Sequence, residues 1–199
     1  PMVIDNEDLE HLCEELSDIS SVLTQLVPGL SIGFKEISQT LDKDGEAATV
    51  TMLTAYRDGK ELPLRDESDG VRKIISVLSL IIAAFNEQSV TVAIDEFDAG
   101  IFEYLLGEIL QSMEESGKGQ FIFTSHNLRP LEVINKKFLY FTTTNPQNRY
   151  IRLKNISATN NLRDTYFREI ILCEQEEEIY NKTKKFKIIA ALKKAGGLR

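Results

Sequence analysis

Apolar positions near the start recur in steps of three and four: Leu9, Leu12, Leu16, Ile19, Leu23 and Leu26. That spacing predicts a helix over 5–27 with a seam of period 3.5, ended by Pro28-Gly29. The seam is short, so it fits an amphipathic helix docked on its own domain as well as one strand of a coiled coil. The period then falls to two. SIGFKEI (31–37) and ATVTMLTAY (48–56) read as strands, with LDKDGE between them as a polar turn. Asp58-Gly59 turns the chain again into a short run, KELPL (60–64), so an antiparallel hairpin layer is expected.

From Val71 to Phe85 the chain is apolar nearly all round, which predicts a helix buried between layers. Strand and helix then alternate. VTVAI (90–94) and QFIFTS (120–125) are strands, and GIFEYLLGEILQSMEES (100–116) is the helix between them. NLRPLEVI (127–134) is a short helical or turn segment, and KFLYFTT (137–143) a further strand. RYIRLK (149–154) reads as an edge strand, NLRDTYFREIIL (161–172) as an amphipathic helix, and 174–194 as a charged surface helix. The predicted fold class is α/β: a partly parallel sheet covered by helices, with the antiparallel hairpin as a separate layer. Three segments follow: 1–28, 29–155 and a helical basic tail, 156–199.

Composition changes this picture little. A hydrophobic content of 42% and a charged content of 27% are ordinary for a soluble globule. No run of apolar residues is long enough to span a bilayer, and PMVIDNEDLE lacks the basic and apolar regions of a secretory signal. A cytoplasmic protein without a membrane partner is expected, and Pro1 before Met2 has the look of a cloning remnant. Cys13 and Cys173 have no metal-ligand spacing and are expected as reduced, half-buried helical side chains. The net charge of −8 is uneven: −11 over residues 1–70, −5 over 71–128 and +8 over 129–199. A basic tail suits contact with DNA, and equally suits solvated helix faces.

Candidate chemistry sits at three places. VTVAIDE drives an apolar strand into Asp95 and Glu96, with Asp98 just beyond. Ligands of open parallel sheets lie past the carboxyl ends of the strands, where a carboxylate can hold magnesium and its neighbour can orient or deprotonate water. Asp-Glu after a strand also starts many helices as a plain cap. Ser68-Asp69-Gly70 precedes the apolar helix, and a helix N-terminus with a small hydroxyl suits a phosphate or an ordinary cap. His126, after Thr124 and Ser125, ends the next strand and is expected on the same rim as Asp95 and Glu96.

Taken in that order, ESDG (67–70), IDE (94–96), FDAG (97–100) and TSH (124–126) resemble the C-terminal lobe of ABC-type ATPases of the SMC/RecF/OLD kind, a branch of the P-loop NTPases, over about residues 30–155. The resemblance implies that Ser68, Asp69 and Gly70 form the signature motif, gripping ATP held by a second subunit. It implies that Asp95 serves Mg2+, that Glu96 polarises the attacking water, that Asp98 couples two sites, and that His126 senses the γ-phosphate. The signature departs from the fuller Leu-Ser-Gly-Gly form, as in single-chain repair and defence ATPases of bacteria. A phosphate loop, G-x-x-x-x-G-K-[ST], does not occur: Gly59-Lys60 and Gly117-Lys118 lack the following hydroxyl residue. The expectation is therefore a fragment whose partners are an N-terminal lobe carrying that loop and a second copy joined through ATP. Residues 9–26 then fit the returning arm of an inserted coiled coil. Two rivals remain: a metal-dependent nuclease built on Asp95, Glu96 and Asp98, and a lobe that only dimerises or docks a partner.

Overall fold

The computed structural model describes residues 1–152, 162–172, 177–180 and 183–197. It divides into two compact units, Pro1–Asn127 and Leu128–Arg199, so the division cuts through the 29–155 segment.

The first unit opens on a strand that the periodicity did not reveal, β1 (Met2–Asp5), followed by helix α1 (Asn6–Leu26). Asp5 caps α1 by accepting the Asp8 N–H at 2.9 Å. The hairpin forms as expected from β2 (Leu30–Leu41) and β3 (Ala47–Arg57), with a bulge at Ile37. β4 (Lys60–Pro63) pairs with β3, and β1 pairs with the earlier half of β3 on the same side. β3 is thus flanked along both edges, which buries Ala48, Thr49, Thr51, Thr54 and Ala55 along it.

Helix α1 covers the other edge of β2. The Ser20 hydroxyl accepts the Ile32 N–H at 2.9 Å, and the Thr24 hydroxyl donates to the Leu30 carbonyl at 3.0 Å. Strand groups that would otherwise seek another chain are thereby satisfied. Leu9 and Leu23 are buried against the unit's own sheet, while Leu12 stays exposed. Cys13 is exposed, not half-buried: it lies on the Leu9–Ser20 side of α1, where a cleft lined by Leu9, Cys13, Glu36, Gln39 and Thr49 stays open between the helix and the sheet. Cys173 lies outside the described residues.

Helix α2 (Asp69–Asn86) buries Gly70, Ile74, Val77, Leu78, Ile81 and Ala84. These share one stripe, and Leu80 on the far side is 46% exposed, so α2 is covered on one face and not all round. Then comes a β-α-β unit: β5 (Thr91–Ile94), α3 (Glu103–Ser116) and β6 (Gln120–Phe123). β5 and β6 are parallel, with Ile94 opposite Phe123. Val92 and Ile94 are buried, whereas Ala93 and Ile122 on the other face are exposed.

In the second unit the expected strand 137–143 is mostly absent. Residues Lys136–Phe138 form a 3-10 turn capped by the Asn135 side chain, which accepts the Lys137 N–H at 3.1 Å. Only β7 (Phe141–Thr142) remains extended, and it pairs antiparallel with β8 (Tyr150–Ile151) instead of prolonging the parallel sheet. The turn after Asn145-Pro146 makes this local pairing the shorter route. Helices α4 (Pro130–Val133) and α5 (Leu162–Leu172) belong to this unit. The expected helix over 174–194 is shorter: residues 177–180 are not helical, and α6 covers Lys185–Ala195 with no buried residue.

Candidate functional site

The carboxyl ends of β5 and β6 form one rim of the first unit. Parallel register carries Asp95 and Thr124 to facing positions directly after Ile94 and Phe123. The Thr124 N–H donates to the Ile94 carbonyl at 3.1 Å, and the Phe97 N–H donates to the Thr124 carbonyl at 3.0 Å. The Thr124 hydroxyl accepts the Glu96 N–H at 2.8 Å and donates to the Asp95 carboxylate. In return, the Asp98 carboxylate accepts the His126 N–H at 3.2 Å and the Asn127 N–H at 3.0 Å.

Phe97 anchors this lacing from below. It is fully buried, with its ring 5.3 Å from Phe121 and 5.8 Å from Phe123 in edge-on geometry. Glu96, just before it, takes φ +46°, a left-handed conformation that is costly for a residue with a Cβ. The Glu96 and His126 side chains, 60% and 83% exposed, meet over the rim with Oε1 3.4 Å from Nε2. Asp95, Glu96 and His126 therefore share one rim, and Glu96 is not locked into an interior ion pair.

The start of α2 joins the same neighbourhood. Ser68 caps it by accepting the Val71 N–H at 3.3 Å, and exposed Asp69 pairs with Arg72. Lys73 Nζ lies 3.4 Å from the Asp95 carbonyl, which ties the first turn of α2 to the end of β5. Gly70 is buried, and a Cβ there would stand 1.9 Å from the Gly100 carbonyl oxygen. The glycine thus serves contact between the Ser-Asp-Gly turn and the Phe-Asp-Ala-Gly turn, which spacing alone did not suggest.

A family model described as "AAA domain, putative AbiEii toxin, Type IV TA system" matches residues 14–132. The chain belongs to this AAA domain family. The match holds all of the rim and the start of α2. Among solved structures, a chain described as "Structural biochemistry of ATP-driven dimerization and DNA stimulated activation of SMC ATPases" is similar over 84% of this chain and 99% of its own, with TM-score 0.50 and 14% identity. The "SmcHead bound to the C-winged helix domain of ScpA" is similar over 57% of this chain, with TM-score 0.43 and 16% identity. The chain spans about a third (34%) of that head. No curated protein matches the chain. The fold of this AAA domain is mixed α/β and is similar to that of SMC ATPase heads.

The AAA rim suits a cation held mainly by a ligand. Among the described residues, no group of three or more His, Cys, Asp or Glu side chains forms a metal cage. Magnesium keeps several waters and is commonly bound by one or two carboxylates with phosphate oxygens, and a single exposed Asp95 fits that mode. A two-metal nuclease needs more converging carboxylates than this rim presents. Sequence reasoning placed Thr124 in the TSH motif without giving it a role of its own, and passed over Lys73. Thr124 was legible in principle, since parallel strands put the residue after Phe123 beside Asp95; Lys73 depends on the tilt of α2, which no local pattern encodes.

Proposed function

We propose that this chain supplies half of an ATP-hydrolysing site, acting with a lobe that carries the phosphate loop and with a second copy. The observation that carries the reading is the meeting of Glu96 and His126, 3.4 Å apart, beside Asp95 at the ends of two parallel strands. ATP with Mg2+ would bring the reactive phosphate and its counter-charge. Asp95 would hold the cation's side of the ligand, directly or through water. Glu96 accepts a proton from the attacking water, and His126, as a neutral imidazole or a cation, donates toward a terminal phosphate oxygen.

Ser68, Asp69 and Gly70 present the α2 N-terminus to the nucleotide of the second copy, and Asp98 holds the His126 loop while facing that copy. The contact of Gly70 with Gly100 supports this coupling, because movement at one turn displaces the other. The open face of the β5–β6 pair, with Ile122 50% exposed, supports the missing lobe. A two-stranded parallel pair is smaller than sheets that stand alone. A DNA-linked process, repair or phage defence, suits the +8 charge of residues 129–199 and the DNA-stimulated activation named for the SMC relatives.

Isothermal titration tests the division of labour. The isolated 199-residue chain should bind ATP with Mg2+ only weakly, at roughly millimolar strength or less, since the amide nest and lysine that hold the β- and γ-phosphates are not in it. Micromolar affinity for the isolated chain would contradict the reading, and so would hydrolysis by it.

A further inference from the structure

One side chain of the rim has no role in the reading above, although it touches both carboxylate residues. We infer that Thr124 is the positioning residue of the acid pair: its hydroxyl fixes how Asp95 and Glu96 are presented and ties both to the loop carrying His126. The inference rests on the ATPase reading of the rim and adds a residue to it.

A hydroxyl has one proton to give and two lone pairs to receive. Thr124 uses both capacities at once, giving its proton to Asp95 Oδ1 and receiving the Glu96 N–H at 2.8 Å. Its own main chain is fixed at both ends, through the Ile94 carbonyl at 3.1 Å and the Phe97 N–H at 3.0 Å. The hydroxyl is therefore a fixed point, and the acids are referenced to it. Occupying Oδ1 directs Asp95 to offer its other oxygen outward.

Glu96 has a second need for this bond. Its φ of +46° persists only where surrounding contacts over-determine it. The Ala99 N–H on the Glu96 carbonyl, at 3.0 Å, and the Thr124 hydroxyl on the Glu96 N–H are two such contacts. Without the hydroxyl, the Glu96 peptide can rotate toward ordinary backbone and its carboxylate leaves His126. Valine at position 124 keeps the shape and makes neither bond; serine keeps both.

The test compares Thr124→Val with Thr124→Ser in two measurements. In the 199-residue chain, amide hydrogen exchange of Glu96 should quicken about tenfold or more in Thr124→Val, while the amides of Phe97 and Thr124 keep their protection. In the full-length protein, Thr124→Val should lower kcat for ATP about tenfold or more with KM within about twofold, and Thr124→Ser should recover both readouts. Wild-type kcat in Thr124→Val, or Thr124→Ser as impaired as Thr124→Val, overturns the inference. Glu96→Gln run beside them separates the two levels. If Glu96→Gln is inactive while Thr124→Val is unaffected, only the positioning role falls; if Glu96→Gln turns over normally, the ATPase reading falls with it.

Discussion

Glu96 shows how the rim trades stability for presentation. A left-handed backbone with a Cβ costs about 1–2 kcal/mol, and glycine escapes most of that cost. Glu96→Gly should therefore raise the urea midpoint, by about 0.5–1 kcal/mol in stability, whereas Glu96→Ala should not. A drop in stability for Glu96→Gly would mean that the side chain itself supports the fold. Gly70 is the opposite case. A Cβ placed 1.9 Å from the Gly100 carbonyl oxygen forces two backbone turns apart, so Gly70→Ala should cost about 3 kcal/mol. Urea unfolding of the isolated chain measures this directly, and an unchanged midpoint would refute the contact.

Among the helices and strands, the β5–β6 ends depend on the ring cluster beneath them. Phe97 is fully buried between Phe121 and Phe123, so Phe97→Ala should cost about 3–5 kcal/mol, read as a lowered melting temperature. In the second unit, α4 and α5 are joined through Glu132, whose carboxylate lies 2.9 Å from Arg163 and 2.7 Å from Arg129. The Arg163 guanidinium first, and Arg129 with it, hold the Glu132 carboxyl below its ordinary value of 4.5. The folded form thus binds this proton less readily than the unfolded chain, so the stabilisation is full above 4.5 and fades as pH falls through the lowered value. Thermal unfolding of Glu132→Gln should lose less stability than wild type between neutral and acidic pH; parallel losses would remove Glu132 from that dependence. Some of these elements could be read from local pattern and some could not. LDKDGE and Asp58-Gly59 announce their turns, and VTVAI and QFIF announce a parallel pair. β1 depends on a pairing with residues 48–51, far along the chain, and gives no periodic signal in four residues. Leu80 and Cys13 looked coverable by composition, but coverage depends on which stripe of a helix meets its neighbours and on how closely it packs along that stripe.

Across the chain, the acidic first unit carries all four sequence motifs, and three of their elements meet at one rim. Their order predicted that convergence because a β-α-β unit returns each strand end to the same side. The partner-dependent roles proposed for Ser68, Asp69 and Asp98 had no such geometric guarantee, and they are tested only where two copies can meet. The most direct measurement is ATP turnover together with molar mass in solution for the full-length protein carrying Glu96→Gln. Turnover should fall about 100-fold or more while an ATP-dependent dimer accumulates, because nucleotide is still gripped when water is no longer activated. Turnover at the wild-type rate, or loss of hydrolysis with no dimer formed in ATP, would contradict the assignment of this rim.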